Sequence, residues 1–190
     1  YPEMVKMAGG VPVAVEASEA DGFKLTAPRL EEHITERTVA LILNSPSNPI
    51  GVVYTREEME PLVQLAVARG LTILSDEIYE KMVYDGLEHT SPASFSDAAY
   101  ASTVTANGFS KAYAMTGWRL GYMAGSAALI KAAGAFQSHS TSAPNTFAQF
   151  GAVAALRGPQ EPVGEMVRAF AERREYMYKR LSTIGGLECV

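Results

Sequence analysis

Short apolar runs alternate along this chain with longer stretches whose apolar positions recur every three or four residues. Segments 38–43, 71–74, 101–106 and 120–124 are rich in branched or small apolar residues and have the length of buried strands. Between the first two, Met59, Leu62, Val63, Leu65, Ala66 and Val67 form one face of a helix. Thr55, followed three residues later by Glu58, is a capping-box start, and Gly70 is a stop. Pro61 lies inside that helix and is expected to kink it. Segment 11–15 reads as a short extended run and 29–36 as a short polar helix or turn. Three helical stretches follow, at 127–137, 145–156 and about 161–181. Strands separated by helices of this length form βαβ units. The fold class expected is therefore α/β, a mostly parallel sheet flanked by helices. The last helix carries Arg168, Arg173, Arg174, Lys179 and Arg180, so it is expected to present a solvated face and to leave the sheet.

Size and composition narrow the class. The 190 residues suffice for one α/β domain or part of a larger one, and 47% apolar with 19% charged is ordinary globular chemistry. No apolar run approaches bilayer length. The start, Tyr1-Pro-Glu-Met-Val-Lys6, lacks the basic and apolar regions of a signal peptide. A net charge of −5 argues weakly against a nucleic-acid partner. One cysteine, Cys189, excludes an internal disulfide and fits a reducing cytoplasm. His33, His89 and His139 are far apart and no Cys/His pair has zinc spacing, so no metal is expected. Both ends read as cut: there is no initiator Met, and Gly185-Gly-Leu-Glu-Cys-Val190 reads as a turn entering a strand.

Three of the expected strands end in polar clusters: Asn44-Ser-Pro-Ser-Asn-Pro-Ile-Gly51, Ser75-Asp-Glu-Ile-Tyr79, and Ser110-Lys111 after a tight Asn-Gly-Phe turn. Ligands of open α/β sheets sit beyond the carboxyl ends of the strands, so the three would converge on one crevice. Lys111 has small or apolar neighbours, and a partly desolvated amine is what Schiff-base chemistry requires. A snorkelling surface lysine is the plainer alternative. Asp76 past an apolar strand can be a loop residue or the partner of a buried cation such as a pyridinium nitrogen. Tyr79 can be an ordinary half-buried tyrosine or a phenol that reaches a ring oxygen. Arg119 offers the planar fork of donors that binds phosphate, or a surface salt bridge; spacing does not choose.

Taken together these motifs resemble those of a known family. Ser110-Lys-Ala-Tyr-Ala-Met-Thr-Gly-Trp-Arg-Leu-Gly-Tyr122 resembles the cofactor-lysine motif of the class I aminotransferases of pyridoxal-phosphate (PLP) fold type I. The loop 44–51 is similar to their Asn-Pro-x-Asn-Pro-Thr-Gly loop, and 75–79 to their Asp-x-x-Tyr motif. The resemblance runs the length of the chain and is nearest to the bacterial aspartate aminotransferase branch. It implies a truncated large domain of the fold type I transferases over 1–160, then a long helix and the start of a C-terminal small domain over 161–190. It also implies pyridoxal 5'-phosphate held by Lys111 as a Schiff base, Asp76 on the ring nitrogen, and Tyr79 with Asn48 on the ring oxygen. Asn48 would also lie near the substrate carboxylate, Arg119 on the phosphate, and Lys111 would shuttle the α-proton. The implied reaction moves an amino group between an amino acid and a 2-oxo acid, with aspartate and 2-oxoglutarate one candidate pair. The implied assembly is a homodimer that shares its sites around 140–145.

Departures and rivals remain. Ile50 stands where the family loop usually has Thr, and Gly108 where many relatives carry a phosphate-binding Ser; Ser110 is the candidate replacement. The phosphate-cradling loop and the ring-stacking aromatic would precede Tyr1, and the arginine for the substrate carboxylate would follow Val190. Segment 138–144, near the partner's site in the family, contains His139 but no arginine for a distal carboxylate. Two other functions stay open: another fold type I enzyme, such as a carbon–sulfur lyase or cyclopropane-forming synthase, and an aminotransferase-like sensing domain of a transcription regulator.

Overall fold

The computed structural model describes residues 1–189. In chain order its elements are α1 (Pro2–Met7), α2 (Ala27–Glu31), β1 (Ala40–Asn44), α3 (Arg56–Ala68), β2 (Thr72–Asp76), α4 (Asp97–Ser102), β3 (Thr103–Gly108), β4 (Gly121–Ala124), α5 (Ala127–Ser140), α6 (Thr146–Arg157) and α7 (Glu161–Leu181). The sheet has the order β1-β2-β3-β4. The first three strands run parallel, and β4 returns antiparallel to β3, which makes the sheet mixed with a parallel majority. Among the described residues no helix is long and apolar enough to cross a membrane.

The core explains the order. α3 buries Met59, Leu62, Val63 and Ala66, the spacing that lines one face of a helix. That face meets Leu41 and Leu43 of β1, Leu71, Ile73 of β2, and Ala99 of α4. Full burial of each large aliphatic side chain stabilises the fold by roughly 1.5–3 kcal/mol. The capping box forms as its residues foretell: Thr55 Oγ1 accepts from the Glu58 N–H at 3.3 Å, and Glu58 Oε2 accepts from the Thr55 N–H at 2.7 Å. Lys24 Nζ lies 2.6 Å from the same carboxylate. Pro61 stands within α3, which continues through it to Ala68. A second cluster, Phe109, Met115, Leu120, Ala148 and Ala152, packs α6 against the segment between β3 and β4.

Several boundaries differ from the sequence reading. Residues 11–15 form no strand. The expected strand at 101–106 begins at Thr103 instead, because Ser96 caps a preceding turn of helix by accepting from the Ala99 N–H. α7 matches its expected span and has no buried residue; Arg174 ties it back, 2.7 Å from Asp85 and 4.8 Å above the Tyr84 ring. Leu187–Cys189 carry no regular structure, and Val190, the end of the expected terminal strand, lies outside the described residues.

Candidate active site

The carboxyl ends of β1, β2 and β3 lie side by side, because the register pairs Asn44 with Asp76 and Asp76 with Ala106. Asn44 ties the first two ends together. Its Nδ2 donates to the Asp76 carbonyl at 3.0 Å, and its Oδ1 accepts from the Asn48 N–H at 3.0 Å. The loop closes where the Gly51 N–H donates to the Ser47 carbonyl at 3.0 Å, with Gly51 at φ +82°, a region that favours glycine. Asn48 is exposed on this loop, and its Nδ2 donates to the Tyr79 hydroxyl at 3.2 Å.

β2 ends at the half-buried Asp76. The Ile78 N–H donates to Asp76 Oδ1 at 3.2 Å, a local turn that leads into Tyr79. The Tyr1 hydroxyl donates to the other oxygen, Oδ2, at 2.5 Å.

Past β3, the carbonyl of buried Phe109 accepts from the N–H groups of Tyr113 and Met115, at 3.3 and 3.2 Å. The turn so closed holds Ser110 and Lys111 half-buried, anchored by buried Ala112 and Met115. Lys111 Nζ lies 5.3 Å from the centroid of the Tyr79 ring. Ala114 and Arg119 both take left-handed backbone, φ +53°. That conformation costs a residue with a side chain roughly 1–2 kcal/mol, and such strain collects at functional sites. Arg119 is exposed and its Nη1 donates to the Thr116 carbonyl at 3.1 Å. Among the described residues neither Lys111 nor Arg119 forms an ion pair. Trp118, next to Arg119, lies so close to α6 that a methyl group on Gly151 would come within 2.5 Å of its ring. α6 thereby holds the turn that presents Arg119.

Asn48, Asp76, Tyr79 and Lys111 are thus brought together. Ser110 and Arg119 share the Lys111 loop but make no hydrogen bond with the other four among the described residues. His139 is exposed at the end of α5. Gly108 has a packing reason to be glycine: a Cβ there would lie 3.0 Å from the Leu120 carbonyl oxygen and 3.1 Å from Gly121 Cα. A serine at that position would require β4 to give way.

On the far side of β2, Glu77 is buried beneath the site. Its Oε1 accepts from Ser91 at 2.6 Å, Ser75 at 2.9 Å and Thr105 at 3.4 Å, and its Oε2 is 2.9 Å from His89 Nε2. Burial pushes the Glu77 carboxyl up. The hydrogen bonds from His89 and Ser91, with the charge on His89 when protonated, outweigh that and hold it below the usual carboxylate range. Glu80 joins Glu77 and His89 in a group whose ligand atoms lie within 4.8 Å of one another. With both Glu77 oxygens engaged by protein donors, the group's chemistry is that of an anchor linking β2, β3 and the 89–91 loop. Glu77→Gln is expected to lower the melting temperature by about 5 °C at neutral pH, the scale of hydrogen bonds to a buried charge. A depressed carboxyl contributes stability above its unfolded value near 4.3 and loses it as pH falls through the folded value. The melting curves should therefore draw together only as pH falls below the unfolded value and through the lower folded one. Equal curves at pH 7 would refute the anchor.

Two contacts were not legible as site features. Asn44 carried no assigned role, and Tyr1, 75 positions from Asp76, gave no signal beyond being a tyrosine.

The chain is also similar to known proteins. The pattern of the aminotransferase class I and II family matches residues 1–190. An aspartate aminotransferase of Geobacillus stearothermophilus is 52% identical over the whole chain, which covers 48% of that relative. An aspartate/prephenate aminotransferase of Cereibacter sphaeroides is 47% identical over the same span and share. The crystal structure of the aspartate aminotransferase from Rhizobium meliloti superposes with a TM-score of 0.97 at 41% identity, covering 100% of this chain and 48% of that one. The chain spans about half the length of the curated relatives it matches.

Proposed function

Since the chain belongs to the class I and II aminotransferase family, whose members depend on pyridoxal phosphate, we propose that it is the cofactor-binding core of an enzyme that moves an amino group between an amino acid and a 2-oxo acid. One observation carries the reading: Asn48, Asp76, Tyr79 and Lys111 meet at the carboxyl ends of three adjacent parallel strands, Asn48 bonded to Tyr79 and Lys111 over the Tyr79 ring. The donor set fits pyridoxal 5'-phosphate. Asp76 is an anion for a ring N–H, the amide–phenol pair suits a ring oxygen, Lys111 is a primary amine for the aldehyde carbon, and Arg119 is a guanidinium for the phosphate. Ser110 is a secondary candidate for the phosphate.

When bound, the cofactor supplies an aldehyde for amines and a cationic ring that takes up the electron pair left by a departing Cα proton. The protein's own groups do the rest. Asp76 holds the proton on the ring nitrogen by its charge. Asn48 and Tyr79 orient the ring oxygen, and Asn48, on an exposed loop, also reaches the substrate carboxylate. Lys111 Nζ, once free, takes the proton from the substrate Cα and later returns one, the work of a positioned general base and acid.

Aspartate is the amino donor we propose, in line with the relatives' names, with 2-oxoglutarate as the candidate acceptor. Residues 1–160 would form part of the large cofactor domain, and 161–190 the long helix and start of a small domain, which the unburied α7 supports. Phe136 on α5 and Phe147 and Phe150 on α6 are large apolar side chains left exposed, of the kind that a partner surface covers. A homodimer sharing its sites near 140–145 accounts for such cover, and a cytoplasmic setting suits the free Cys189. The test is borohydride reduction of the full-length protein loaded with pyridoxal phosphate, with its mass measured in solution. The adduct is expected on Lys111 in a dimer; an adduct on another lysine would end the assignment.

A further inference from the structure

We propose that Tyr1 is a positioning residue for the cofactor site, its phenol fixing the plane of the Asp76 carboxylate. The inference rests on the reading of Asp76 given above and adds a residue that the sequence motifs do not contain. A carboxylate turns easily about its last side-chain bond, a broad two-fold rotor. Here each oxygen has its own donor: the Ile78 N–H on Oδ1 at 3.2 Å and the Tyr1 hydroxyl on Oδ2 at 2.5 Å. Two donors on two oxygens leave one orientation, and each oxygen keeps a lone pair for a further donor.

The phenol is itself held. The Tyr1 carbonyl accepts from the Val5 N–H at 3.1 Å, so Tyr1 begins α1 and its side chain is directed by that helix. Burial, the hydrogen bond to Asp76 and the negative charge of Asp76 push the Tyr1 hydroxyl far above its ordinary value. It therefore stays a donor at every working pH. Its bond also draws negative charge from Oδ2, so its removal leaves more charge facing the ring.

The test uses full-length protein stripped of cofactor and titrated with pyridoxal phosphate, as wild type, Tyr1→Phe, Asp76→Ala and the double variant. Tyr1→Phe is expected to weaken cofactor binding about tenfold, the scale of one hydrogen bond to a charged group. In the Asp76→Ala background the same change should matter less than twofold, because nothing remains to position. The pH midpoint of the bound cofactor's absorbance change should rise in Tyr1→Phe, since added negative charge favours cationic forms. Binding unchanged within twofold, a loss equal in both backgrounds, or an unmoved midpoint would overturn the inference alone. Failure of the unaltered protein to bind pyridoxal phosphate would overturn the reading of the site and this inference with it.

Discussion

Lys111→Ala in the full-length protein is expected to lower kcat for transamination by about a thousandfold or more while leaving the fold intact. A positioned general acid–base contributes roughly 10²–10⁴ in rate, and the covalent hold on the cofactor proposed for Lys111 would add to the loss. The fold should survive for reasons visible in the turn. The Phe109 carbonyl closes it through the Tyr113 and Met115 N–H groups, and buried Phe109, Ala112 and Met115 anchor it. The Lys111 side chain contributes none of these contacts and forms no ion pair among the described residues. Steady-state rates beside a thermal melt check both halves of the expectation. A variant that melts normally and keeps kcat within tenfold of wild type would refute the catalytic role.

Asp76→Asn carries the second large effect. The amide keeps the shape of the carboxylate and an acceptor for the Ile78 N–H or the Tyr1 hydroxyl, but the charge is gone. Preorganised charge at a transition state is worth roughly 3–4 kcal/mol, or about a hundredfold to a thousandfold in rate. kcat should fall by that amount while cofactor is retained through Lys111 and the phosphate contacts. Asp76→Ala should be worse and should also loosen the cofactor. If Asp76 were only a loop residue, both variants would lose stability together and keep their activity per folded molecule. Measuring kcat and bound cofactor on folded Asp76→Asn separates the two, and a near-normal kcat would sink the assignment.

The parts of the site that were legible in the sequence share a cause: their information is local. Lys111 follows its strand by three residues, and Asp76 and Tyr79 lie within four positions of each other. Ser110 and Arg119 are a different matter. Their place on the Lys111 loop was legible, but the packing of Trp118, next to Arg119, against Gly151 of α6 was not, because no motif encodes it. The helix ahead of β3 was missed because Ala99, Tyr100, Ala101 and Ser102 suit a short helix or a strand equally. The choice fell to the Ser96 cap and to burial of Ala99 against the α3 cluster.

What the sequence determined by itself, then, is what one turn of helix or one strand can express. The Thr55–Glu58 cap, the 59-62-63-66 face of α3, the apolar strand runs and the polar clusters after three of them belong here, because each is a property of neighbouring residues. Only the tertiary structure decided that β4 turns back antiparallel, since its apolar run is compatible with either direction until its partner is fixed. It also decided that Tyr1 meets Asp76 across 75 positions, and that Glu77, one residue from Asp76, faces His89, Ser91 and Thr105 instead of the site. Successive side chains of a strand point to opposite faces. Which groups await them there depends on how separate segments pack, and no single segment carries that information.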